Sequence, residues 1–261
     1  MTTATDHQHR VVDQFSQQAE GYSRLTGGMA GGDRQAAFRQ LVGLHPDDVM
    51  LDVCCGNGVL TLDFAPHVAQ VIGLDLTPAM LEQARLAQRA KGIGNVTWIE
   101  GDINALPFAD NGFSLVTCSS AFHHVPDPAP AFAELARVCR SGGRVVVRDV
   151  TPAPAKSAAY DRMELLRDPS HVHALTPDEL RALGRGQPVK EPQLFPSVTA
   201  DLSLDAILAT SFPEQCSRED IGAMFLADAL SGEDRLGFSA TLVEGELKVS
   251  YAMTTAIWNK L

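Results

Sequence analysis

The sequence predicts an α/β domain built on a mostly parallel sheet, and three observations carry that prediction. Between residues 49 and 151, short β-branched runs alternate with helical periodicities, the pattern of repeated strand-helix-strand units. Runs such as Val145-Val146-Val147 are apolar without alternation, as expected of strands covered on both faces. The first strand, VMLDVCC, enters a glycine turn at Gly56 and Gly58, where a following helix would offer free N–H groups to a ligand.

The elements follow in order. Residues 11–28, VVDQFSQQAEGYSRLTGG, form a helix with Phe15, Ala19 and Tyr22 on one side and the Gly27-Gly28 pair at its end, suited either to core packing or to closing over a ligand. Strands are expected at 49–55, 70–76, 96–102, 113–120 and 143–151. Residues 77–92 form a helix with Thr77 as N-cap, Pro78 at the first helical position and Gly92 as a stop. A second helix, 127–143, places Phe132, Leu135, Ala136 and Val138 on one face and ends at Ser141-Gly142-Gly143.

Beyond residue 151 the pattern loosens. Residues 156–167 read as a helix, 168–173 as a loop, and Thr176-Pro177-Asp178-Glu179 as a capped helix start. A strand lies within 188–203, residues 204–238 read as helical, and 246–258 form the last strand. The expected organisation is an N-terminal helical segment at 1–46, a ligand-binding core at 47–151, and helical cap insertions with the last two strands at 152–261.

Composition narrows the function. The formal charge is −11, from 32 acidic and 21 basic side chains, with no Lys/Arg cluster to track phosphates, so nucleic acid and anionic membrane are not expected partners. The five cysteines, at 54, 55, 118, 139 and 216, form no paired framework and read as reduced thiols of a cytoplasmic protein. The N-terminus has no apolar leader, and no run of 18 apolar residues is free of charge.

The chemistry gathers at one sheet edge. Asp52 in the first strand, Asp75 after the second and Asp102 after the third are expected to line the carboxyl ends of the strands, where open α/β sheets bind ligands. Asp75 stands where a carboxylate accepts from ribose hydroxyls. A dinucleotide fingerprint would place a third small residue at position 61, which is Thr61, and this disfavours NAD or FAD. His123 and His124 follow the fourth strand and His171 lies in a loop of the cap; each is a candidate general base, against packing or substrate positioning. His171 and His173 lack a convincing third ligand, so no metal is expected. Arg148-Asp149, ending the fifth strand, reads equally as an ion pair or as a substrate contact.

Four ordered segments, LDVCCGNG, VIGLDLTPAML, GDINALPFADNGFSLV and SSAFHHVPDPAPAFAELARVCRSGGRVVV, resemble the motifs of class I S-adenosylmethionine-dependent methyltransferases. Within that class the sequence is similar to the small-molecule group of the ubiquinone/menaquinone C-methyltransferases, with Cys54 replacing the usual first glycine of the turn. A weaker match, QFSQQAEGYSR, covers the N-terminal helix. The resemblance implies a Rossmann-like seven-stranded, mostly parallel sheet with helices on both faces and an antiparallel last strand.

It also implies S-adenosyl-L-methionine as cofactor. Cys54, Gly56 and Gly58 would pass its methionine moiety, Asp75 would hold the ribose, and Leu76 and Met80 would flank the adenine. Asp102 and Ile103, with Gly101 beside them, would face the adenine; Ser119 would lie near the sulfonium, and Tyr22 would close over the carboxylate. The expected acceptor is a small molecule (quinone-like, polyketide or another secondary metabolite) bound by a monomer or homodimer. The rival readings are a non-methylating enzyme or binding protein of the same fold and an NAD-dependent oxidoreductase.

Overall fold

The computed structural model describes residues 4–27, 32–199 and 201–261. Gly28, half of the pair expected to end the first helix, lies outside the described residues. The chain opens with helices α1 (Ala4–Gly27) and α2 (Asp33–Val42). It then alternates β1 (Val49–Val53), α3 (Val59–Phe64), β2 (Gln70–Asp75), α4 (Pro78–Lys91), β3 (Val96–Glu100), β4 (Phe113–Ser119), α5 (Pro128–Val138) and β5 (Cys139–Val150). A cap follows, with α6 (Ser157–Arg167) and α7 (Pro177–Ala182), before β6 (Gln193–Val198), β7 (Leu202–Ser203), α8 (Leu204–Ala209) and α9 (Arg218–Ser231). Strands β8 (Thr241–Val243), β9 (Glu246–Val249) and β10 (Ala252–Asn259) end the chain.

The main sheet has seven strands in the order β3-β2-β1-β4-β5-β10-β6, with β1 to β5 parallel and β10 antiparallel to both of its neighbours. The order reverses at β1, so the crevice between the carboxyl ends of β1 and β4 is where this architecture receives ligands. Strand alternation divides the core. Val145, Val147 and Trp258 pack with Phe132 and Leu135 of α5 on one face, while Val146 and Ile257 pack with Phe64 on the other. A third cluster, including Tyr160, Ile207, Phe225 and Phe238, holds the cap together.

Three expectations are corrected. Helix α5 stops at Val138 instead of reaching Gly143, because Cys139 already pairs with Phe113 of β4 and the chain bulges before Arg144 rejoins the register. The helical stretch expected at 204–238 breaks between α8 and α9 around Pro213, which has no N–H to offer a helix. The single strand expected at 246–258 is two. The Ser250 N–H bonds the Phe238 carbonyl and the Tyr251 N–H bonds the Thr199 hydroxyl, diverting the chain from the small β7-β9-β8 sheet into the main one.

Candidate active site

A cavity of about 1180 Å³ opens along the carboxyl ends of β1, β2 and β4. It exceeds the ~1,000 Å³ upper range of single-ligand pockets, giving room for two molecules side by side. Its lining includes Tyr22, Cys54, Gly56, Asp75, Leu76, Met80, Gly101, Asp102, Ile103, Ser119 and His124, all of them singled out by the sequence.

The glycine turn is fixed to the second strand by one side chain. Asp75 accepts the Gly56 N–H at 2.7 Å with one oxygen and the Thr77 N–H at 2.8 Å with the other. Burial raises its pKa, and the two amide hydrogen bonds oppose that shift. Gly56 has φ 54°, and a Cβ built on it meets nothing within 4 Å, so the turn is open where it faces the cavity. Cys54 adopts φ 55°, a left-handed conformation that glycine takes more readily than an L-residue.

Helix α1 lies over this edge. Gln8 donates to Asp102 Oδ2 at 2.6 Å, and Asn57 of the turn donates to Ser23 Oγ at 3.2 Å and Thr26 Oγ1 at 2.8 Å. Asn104 donates through both its backbone and side-chain nitrogens to Asp102 Oδ1, at 2.9 Å each. His7 Nε2 donates to the His124 carbonyl at 2.7 Å. Gln8, Asn57 and His7 went unnoticed in the sequence, since polar residues on a helix or turn give no periodic signal.

Four expected site residues do not line the cavity. Asp52 is buried against α3, where it accepts from Thr61 Oγ1 at 2.5 Å and Thr117 Oγ1 at 2.6 Å. Strand alternation aims it there, and Thr61 is thereby explained as its partner. Burial lifts the Asp52 pKa to about 6, against those two hydrogen bonds. Gly58 is a packing glycine, because a Cβ there would stand 2.5 Å from the Trp98 ring.

His123 and His171 are the other two. His123 donates through Nδ1 to buried Asp149 at 2.6 Å, and Asp149 also accepts the Phe122 N–H at 2.7 Å. Burial opposes the charged form of His123, but the Asp149 charge and hydrogen bond prevail and raise its pKa; the same pairing lowers that of Asp149. His171 is buried and donates through Nε2 to Asp161 at 2.9 Å, while His173 donates to the other oxygen of Asp161 at 2.7 Å. The three rings still form one cluster, with centroids 4.3 Å apart for His123–His124 and 5.8 Å for His123–His171.

His124 lines the cavity, and its Nδ1 donates to the Ser170 carbonyl at 3.0 Å, which leaves Nε2 with a lone pair. Burial, reinforced by neighbouring His123, drops its pKa to about 3, so the ring is neutral near pH 7. The far side of the cavity adds Phe38 and Leu41 of α2, Arg148 of β5, Phe195 of β6 and Thr255 of β10. Among the described residues, no group of three or more His, Cys, Asp or Glu is placed to hold a metal ion. No described helix is long and apolar enough to cross a membrane.

Residues 51–147 match the family described as "Methyltransferase domain". The chain is 36% identical over 136 residues to the uncharacterized methyltransferase YcgJ of Bacillus subtilis, covering 51% of this chain and 54% of that protein. The YcgJ crystal structure superposes with a TM-score of 0.72 at 25% identity, covering 87% of this chain and 98% of the other. The ubiquinone/menaquinone biosynthesis C-methyltransferase UbiE of Teredinibacter turnerae is 34% identical over 151 residues, covering 55% of this chain and 61% of that protein. Geranyl diphosphate C-methyltransferase of Streptomyces coelicolor, solved with Mg2+, geranyl diphosphate and S-adenosyl-L-homocysteine, shares the fold at a TM-score of 0.59 and 15% identity, covering 87% and 78%. In sequence the chain thus matches less than two thirds of the length of YcgJ and of UbiE. Over residues 51–147, and in the order of the strands that carry them, the chain is similar to proteins of the methyltransferase-domain family.

Proposed function

We propose that the protein transfers a methyl group from S-adenosylmethionine to a small-molecule acceptor. The observation that carries this reading is the shared wall of one cavity: the open turn at Gly56, with Asp75 and Asp102 at the ends of the next two strands. These groups fit the cofactor. Asp75 offers carboxylate oxygens to ribose hydroxyls, Asp102 stands where an exocyclic amine would donate, and Leu76, Met80 and Ile103 supply apolar surface for a ring. Tyr22 of α1 reaches the same space, which supports a closing role for residues 1–46. Residues 152–261 supply Phe195 and Thr255 at the acceptor end.

S-adenosylmethionine supplies a methyl group already activated on a sulfonium and open to in-line displacement. The protein's share of the catalysis is therefore alignment and exclusion of water. Cys54, Gly56 and Ser119 shape the wall at the switch point, and Phe15 packs edge-on to His124 at 5.0 Å and narrows the space above. With a pKa near 3, His124 is matched to orienting an acceptor by accepting a hydrogen bond at Nε2, not to storing a proton. His123 and Asp149 hold the loop that carries His124. Similarity to UbiE supports a quinone-like acceptor, with polyketides and other secondary metabolites of comparable size as alternatives.

Calorimetric titration with S-adenosylmethionine, S-adenosylhomocysteine and NAD, each alone, tests the proposal. Micromolar binding of the first two without the third is the expected result. Binding of NAD alone overturns it.

A further inference from the structure

Arg148 carries a charge that the rest of the cavity does not answer. Adjacent strand residues point to opposite faces, so Asp149 turns away and is taken up by His123 and the amides of Phe122 and Ala121. Arg148 itself stacks on Phe38 at 4.9 Å and directs Nη2 at Met253 Sδ, 3.9 Å away. Among the described residues it forms no salt bridge. Asp63, which lines the same cavity, is matched by Arg39 at 2.5 Å. A half-buried guanidinium in an apolar wall, with a thioether and a ring for neighbours, is a binding group for an anion.

Its place in the sheet says what the anion belongs to. Ser119 pairs with Arg148, Arg148 with Thr255, and Thr255 with Phe195, so one row crosses β4, β5, β10 and β6 on a single face. All four residues line the cavity. Arg148 therefore stands one strand, about 4.8 Å, from the Ser119 end of the row, with the apolar surface of Phe195 beyond Thr255. The chemistry of the lining agrees. Neutral His124 is poorly suited to take a proton, and His123 and His171 lie off the cavity, so an acceptor that arrives already ionised needs no base from this site.

We propose that Arg148 binds an anionic oxygen group of the methyl acceptor, so that the substrate is an amphipathic acid: an apolar body bearing a carboxylate or an ionised enol or phenol. This rests on the methyltransferase reading and deepens it by naming the acceptor class.

The test uses the full chain saturated with S-adenosylhomocysteine and titrated with decanoate and with 1-decanol, probes of equal chain length that differ in charge. Decanoate is expected to bind about 10-fold or more tightly than the alcohol, as a charge-assisted hydrogen bond provides. Arg148→Gln is expected to bring decanoate down to the alcohol's affinity and Arg148→Lys to retain part of the preference, both with S-adenosylhomocysteine affinity unchanged. Equal affinity for the two probes in the wild type overturns the proposal, and this holds even where a variant fails to fold. Undiminished decanoate binding in a folded Arg148→Gln variant overturns it as well. Failure of the wild type to bind S-adenosylhomocysteine overturns the methyltransferase reading instead, so the two failures are distinguishable.

Discussion

The Asp75 carboxylate accepts the Gly56 N–H at 2.7 Å, tying the end of the second strand to the turn after the first. One side chain thus sets the width of the crevice and presents charge to it. Asp75→Ala is expected to weaken S-adenosylhomocysteine binding by about 1.5–3 kcal/mol, the range for hydrogen bonds to charged groups. Calorimetry on the folded variant measures this, and unchanged affinity would rule out a ribose contact at Asp75.

Much of this edge was legible because its logic is local. Asp75 ends β2 and Asp102 lies two residues past the end of β3, and a strand end in a parallel sheet is a place in space as well as in sequence. Asp52 misled for the same reason: its type fits the pattern, but its parity along β1 turns it to Thr61 and Thr117. Gly58 looks ligand-facing in the sequence because the ring it accommodates, Trp98, lies 40 residues further along the chain. Arg148 and Asp149 illustrate the converse. Period-two alternation alone argues against an ion pair between strand neighbours, yet their charges invite one. Long-range ties such as Gln8 to Asp102 or His124 to Ser170 depend on tertiary placement that no window of sequence contains.

His123→Ala is expected to lower stability by about 3 kcal/mol near pH 6, since it strands buried Asp149. The deficit has a pH signature. The raised His123 pKa gives stability that is complete below the ordinary 6.5 and is lost as pH rises through the folded value. The lowered Asp149 pKa gives stability present above the ordinary 3.8 and lost as pH falls through the folded value. The gap between wild type and variant should therefore be widest between 3.8 and 6.5 and shrink toward pH 9. Denaturant unfolding at pH 5, 7 and 9 reads it, and a constant gap would show that the pair contributes packing alone.

Asp52 has the opposite sign. Its pKa rises from 3.8 to about 6 on folding, so the native state binds its proton more tightly than the unfolded chain does. Stability is lost as pH climbs through that window, by ~3 kcal/mol at 1.36 kcal/mol per unit. Asp52→Asn removes the titration, and its stability relative to wild type should improve by about that amount between pH 4 and pH 7. A pH-independent difference would mean that the threonine hydroxyls keep Asp52 ionised at no cost.

Cys54 gives the sharpest test of backbone conformation. At φ 55° an L-residue carries roughly 1–2 kcal/mol of left-handed strain. Cys54→Gly relieves that strain but loses the thiol's packing and loosens the unfolded chain, each worth about 0.5–1 kcal/mol. The net change should therefore stay within about 1 kcal/mol of wild type. Cys54→Val adds a β-branch where positive φ tolerates it least and should destabilise by about 2 kcal/mol or more, although valine is apolar and close in size. Thermal unfolding of the two variants side by side separates the explanations: if valine is tolerated as well as glycine, packing governs this position and the left-handed turn does not.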